Sequence, residues 1–138
     1  LKSFNQKGEK NLAYSCVVED NHLNLTPLGK VLMPPPLFEK QIALDHFPVH
    51  VDMFGHDIAA MLQNGQVLIT NCTDIDKKDM IVLKSKEGKE LSPFEVTRVI
   101  IYRTSPQSEL KLVAISNKGN SSTLSVFEIK GTETSMIQ

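Results

Sequence analysis

The sequence predicts an all-β chain, and three observations predict it. Short apolar runs recur on either side of turn-forming residues, several of those runs are apolar at every position, and no segment sustains the 3.6-residue spacing of an amphipathic helix. With 138 residues the chain is long enough to bury a real core.

Residues 1–10 are polar and lysine-rich and read as a loop or a frayed terminus. Three hairpins follow. The first runs over residues 13–18, turns through Glu19, Asp20 and Asn21, and returns over 23–26. The second runs over 58–62, turns on Gln63-Asn64-Gly65, and returns over 67–70; Asn-Gly between apolar runs is a strong hairpin signal because both residues tolerate positive φ. The third runs over 110–116, turns through Asn117-Lys118-Gly119-Asn120, and returns over 123–129. Further strands are expected at 49–53, which alternates apolar and polar, and at 80–83 and 96–102, which are dense in β-branched and aliphatic residues. Ser92-Pro93-Phe94-Glu95 has the form of a helix capping box with proline at the first helical position. The β-branched run behind it is poor helix material, so a strand is expected there.

Two features select an architecture. Tyr14, Ile58 and Leu112 occupy similar places in their hairpins and lie 44 and 54 residues apart, near the period of propeller blades. Residues 58–62, 80–83 and 112–115 are apolar on both sides, whereas a one-faced antiparallel strand alternates. Strands of that kind suit sheets packed on both faces. The prediction is a partial β-propeller of about three WD40-like antiparallel blades, roughly residues 12–44, 49–85 and 96–130, with a β-sandwich as the rival. Three blades cannot close a ring of at least four, so the remaining blades of its own propeller are an expected partner.

Composition narrows the function. Fifteen Lys and Arg nearly cancel sixteen Asp and Glu, which leaves no whole-domain field to gather polyanions, so neither nucleic acid nor an anionic membrane is an expected partner. No run approaches the ~20 apolar residues that cross a bilayer, and no secretory signal is visible. Cys16 and Cys72 fall within expected strands and read as free thiols, which points to the cytosol or nucleus.

Each constellation that could carry chemistry has a plainer reading. His46, His50 and His56 cluster with Asp45 and Asp52, and the first two histidines have a helical metal spacing. Pro48 lies between them, however, and His50 belongs to an alternating strand, so no metal site is expected. Asp74, Asp76 and Asp79 match calcium-loop positions one, three and six. Such a loop requires glycine at position six and glutamate at twelve, where this chain has Asp79 and Ser85, so a solvated loop is expected instead. No serine sits on a nucleophile-elbow turn and no glycine-rich phosphate loop precedes a helix, so no catalytic residue and no cofactor are assigned. The mixed-charge run 84–90 lacks the aromatics of a nucleic-acid platform. Pro34-Pro35-Pro36 reads as a stiff connector. Three glycosylation sequons, at Asn24, Asn71 and Asn120, support an alternative reading as an extracellular β-rich adhesion or receptor module.

One resemblance adds to this. Residues 17–28 lead into Val31-Leu32-Met33-Pro34-Pro35-Pro36-Leu37, then Phe47-Pro48-Val49-His50-Val51 and Ile58-Ala59-Ala60-Met61-Leu62. That order, from about residue 14 to 70, resembles the later propeller region of the first-subunit family of the Elongator complex, the scaffold family also called IKAP. No Trp-Asp blade ending occurs, and the chain contains no tryptophan. The resemblance implies a non-catalytic scaffold whose partners are the other Elongator subunits, in the machinery that modifies the wobble uridine of certain tRNAs. It transfers no catalytic residue.

Overall fold

The structure is a computed structural model, and it describes residues 14–27 and 40–137. The readings of residues 1–10 and of Pro34-Pro35-Pro36 fall outside the described residues.

Three antiparallel sheets follow one another along the chain, each a simple up-and-down meander. The first holds β1 (Tyr14–Glu19), β2 (His22–Pro27) and β3 (Lys40–Ala43). The middle sheet holds β4 (Pro48–Phe54), β5 (Asp57–Leu62), β6 (Gln66–Asn71) and β7 (Asp74–Val82). The third holds β8 (Val96–Tyr102), β9 (Leu110–Lys118), β10 (Ser121–Lys130) and β11 (Glu133–Met136). None of the three closes on itself among the described residues.

The two-sided strands explain the stacking. Successive side chains of a strand point to opposite faces, so a run of five apolar residues must be buried on both. In β5, Ile58, Ala60 and Leu62 join Leu23, Leu25 and Ile42 in one core, between the first and middle sheets. Ala59 and Met61 join Val99, Ile101, Leu112, Ala114 and Phe127 in a second core, between the middle and third sheets. All five residues of this run, Ile58 through Leu62, have no exposed surface. Each fully buried Ile, Leu or Met contributes roughly 1.5–3 kcal/mol.

The expected hairpins form, with one change of turn chemistry. At the β5–β6 turn the Gly65 N–H donates to the Leu62 carbonyl (2.9 Å), and Gly65 alone takes a positive φ, 93°. This is a four-residue turn followed by a left-handed glycine, not a tight turn with both Asn64 and Gly65 left-handed. Asn64 instead caps the turn, its Oδ1 accepting from the Gln66 N–H at 3.1 Å.

One expectation needs correction, and two short strands had none. Residues 74–79, expected as a loop, belong to β7, paired with β6. The charges are tolerated because β7 is an edge strand, exposed over most of its length, and charged edges resist pairing with other chains. β3 and β11, four residues each, had no expected counterpart. At residues 92–95 the capping interactions do form, with the Phe94 N–H donating to Ser92 Oγ (3.3 Å) and the Glu95 N–H to the Ser92 carbonyl (3.1 Å). They close a single turn, and β8 begins at Val96 as the β-branched run requires.

Candidate functional site

Two of the polar side chains weighed as metal ligands, His50 and Asp52, join neighbouring sheets. β4 and β8 are the first and edge strands of their sheets and lie side by side without ladder pairing. An edge strand has backbone groups with no strand partner on its outer side. Asp52 of β4 accepts the Ile101 N–H of β8 at 2.8 Å, and His50 Nε2 donates to the Val96 carbonyl at 2.8 Å. His46 and Asp45 are exposed in the segment before β4, and His56 lies in the β4–β5 turn. Among the described residues no group of three His, Cys, Asp or Glu side chains could hold a metal ion.

A cleft of about 510 Å³ lies where the β4–β5 turn, the end of β6 and the β8–β9 loop meet. Its floor is a network that sequence reading missed. Arg103 donates through Nε to Asp57 Oδ2 at 2.7 Å and through Nη2 to Asp57 Oδ1 at 3.2 Å. Its Nη1 donates to the Ser108 carbonyl at 2.6 Å. Asn71 Nδ2 donates to Asp57 Oδ1 at 3.3 Å, and the Thr73 N–H donates to Asn71 Oδ1 at 2.9 Å. Asp57 and Arg103 are 46 residues apart in sequence, and no local pattern marks either one. The side-chain hydrogen bond to Asp57 raises the Arg103 pKa further above its already high value. The pair clamps the middle sheet to the loop behind β8.

A second set of contacts ties the first sheet to the same end of the middle sheet. Lys40 Nζ donates to the Cys72 carbonyl and lies 5.5 Å from the Tyr14 ring centre. Tyr14 meets the His56 ring edge-on at 5.9 Å. At the opposite end, the run 84–90 folds back on itself, with the Ser85 N–H donating to the Lys89 carbonyl at 2.7 Å. Its lysines alternate with Glu87 and Glu90, which leaves no basic stripe for a phosphate backbone.

The sequons and thiols are placed as follows. Asn24 is buried and hydrogen-bonded to Gln41 (3.0 Å), and Asn71 is held by Asp57 and Thr73. Asn120 is exposed in the β9–β10 turn. Cys16 and Cys72 are both free, and both lie at the core between the first and middle sheets. Burial pushes the Cys16 thiol up to about 11, and burial together with the neighbouring Cys16 pushes the Cys72 thiol up to about 12. Such thiols are poor nucleophiles near neutral pH. Among the described residues no helix is long and apolar enough to cross a membrane.

No protein-family model matches the chain, and no curated protein sequence matches it.

Proposed function

We propose that the chain is a stretch of a longer, irregular WD40-like β-propeller, three blades in extent, that works as a non-catalytic protein-interaction scaffold of the Elongator type. The observation that carries the architecture is the repetition itself. Three meanders follow in chain order, each packs its flat face on the next, and the first strands β4 and β8 lie together. Repetition of that kind around an axis generates a propeller. A two-sheet sandwich has no middle sheet buried on both faces.

The scaffold role is supported by where the polar residues go. Asp57, Arg103, Asp52 and His50 spend their hydrogen bonds holding neighbouring sheets together. The Elongator assignment rests on the ordered likeness across residues 14–70 and on nothing else. Capture of the tagged longer polypeptide from its own cells tests it. The reading predicts a stoichiometric complex with a tRNA-modifying catalytic subunit that carries an iron–sulfur cluster. Recovery with cell-surface proteins, with a glycan on Asn120, would favour the extracellular alternative.

A further inference from the structure

Asn64-Gly65 is the one Asn-Gly pair in the sequence, and it sits at the β5–β6 turn with Asn64 exposed. An asparagine followed by glycine is the pairing most open to attack on its own side chain. The glycine amide nitrogen, once deprotonated by solvent base, bonds to the asparagine Cγ, and no Cβ stands in the way. The Cγ–Nδ2 bond then breaks, and ammonia leaves after taking up a proton, which closes a five-membered succinimide. Water opens that ring at either carbonyl. One opening gives aspartate, and the other gives isoaspartate, with the main chain rerouted through the side chain. Every step needs only water and base.

The folded turn holds both reacting groups. The Gly65 N–H donates to the Leu62 carbonyl at 2.9 Å, so the nucleophile's proton is committed to the hairpin. The Asn64 carboxamide is tied at both polar atoms: Oδ1 accepts the Gln66 N–H at 3.1 Å, and Nδ2 donates to Gln66 Oε1 at 2.8 Å. Gly65 is itself half-buried against the β7–β8 connection, where a Cβ would meet Pro93 Cδ at 3.6 Å and the Leu91 carbonyl oxygen at 3.8 Å. Ring closure needs the Asn64 backbone to rotate and the Gly65 N–H to come free, and both break the turn. Asn21, Asn117 and Asn120 are also exposed, but His22, Lys118 and Ser121 follow them, and those side chains hinder the attack.

We propose that Asn64 is a self-modification site gated by its own hairpin. Closed, the β5–β6 turn preserves the amide; opened, it lets the residue convert to isoaspartate, and the product bars the turn from closing again. The one-way step follows from connectivity. Isoaspartate inserts an extra main-chain carbon between Leu62 and Gly65, whose hydrogen bond needs the normal length, and it lacks the Nδ2 donor that Gln66 accepts. The residues flanking the turn carry the damage inward. Met61 and Val67 belong to the core shared with the third sheet, and Leu62 and Leu68 to the core shared with the first. Conversion at this one turn therefore reaches both interfaces of the middle sheet. Nothing in this chemistry depends on the scaffold role.

Incubation of the 138-residue chain in mildly alkaline buffer tests this, with aspartate and isoaspartate at each asparagine resolved by peptide mass spectrometry. In denaturant, Asn64 should convert ahead of every other asparagine. In the native chain its rate should fall at least tenfold, and the ratio of the two rates reads how seldom the turn opens. Gln66→Ala removes the Oε1 acceptor and should raise the native rate at least threefold while leaving the denatured rate unchanged. Conversion at the buried Asn24 should keep its native rate in that variant. Chain isolated with isoaspartate at position 64 should unfold at lower denaturant than unconverted chain. A native rate within twofold of the denatured one would overturn the gate, and so would a Gln66→Ala rate equal to that of the native chain. A matching rise at Asn24 would assign the acceleration to general loosening of the fold and would also overturn it. An isoaspartyl chain as stable as the original would overturn the one-way step.

Discussion

Ala60 has no exposed surface, and it sits in the strand that two other sheets enclose. A carboxylate there has no cation and no water, so Ala60→Asp should cost about 3–5 kcal/mol in a denaturant titration. The same charge at Lys118 or Asn120, exposed at the β9–β10 turn, should stay within about 0.5 kcal/mol. Arg103→Ala leaves the partly buried Asp57 carboxylate without its cation, still hydrogen-bonded to Asn71, and frees the β8–β9 loop, for a loss of about 2–3 kcal/mol. Arg103→Lys should recover less than half of that, because an ammonium cannot reproduce the paired N–H contacts to Asp57 while also reaching the Ser108 carbonyl. The thiols set a pH dependence. Both fold with pKa values raised above the ordinary value of 9.0, so their contribution is complete below pH 9 and is lost as pH climbs toward about 11 to 12. Between pH 8 and 10.5 the native chain should lose more stability than a Cys16→Ala/Cys72→Ala chain, by on the order of 2 kcal/mol. At this scale burial was legible in the sequence, since Ile58, Ala60 and Leu112 announce themselves by their neighbours. The Arg103–Asp57 clamp was not, because long-range ion pairs leave no periodic trace. The roles of His50 and Asp52 were hidden for the same reason: each acts on backbone groups about 46 and 49 residues away.

Among the elements, those with apolar content and a turn signal could be read from sequence, and those without either could not. β3 has one buried residue, Ile42, in four, and β11 is four residues long, so neither carries a pattern long enough to recognise. β7 was half legible. Its apolar end at Ile81 and Val82 reads as a strand, while Asp74, Asp76, Lys77, Lys78 and Asp79 read as loop because an edge strand need not alternate. Those charges predict a test of their own. Replacing Asp76, Lys77 and Lys78 together with valine should leave the fold intact and raise aggregation, measured by light scattering, since the edge loses its repulsion. The β5–β6 turn gives a second test. Gly65 holds φ at 93°, and a Cβ there would meet Pro93 Cδ at an ordinary 3.6 Å. Gly65→Ala should therefore cost about 1–2 kcal/mol from backbone conformation alone, with no added steric loss.

For the molecule as a whole, sequence conveyed the all-β class and the two-sided packing through strands that are apolar at every position. The central claim is that this chain is an open stack of three sheets whose middle sheet is buried on both faces. Sedimentation velocity of the isolated 138-residue chain over a wide concentration range tests it most directly. The account predicts association that grows with concentration and is weakened by Leu124→Lys, which places a charge at a half-exposed apolar position of the third sheet. A chain that stays monomeric at every concentration and unfolds in a single sharp transition would contradict it.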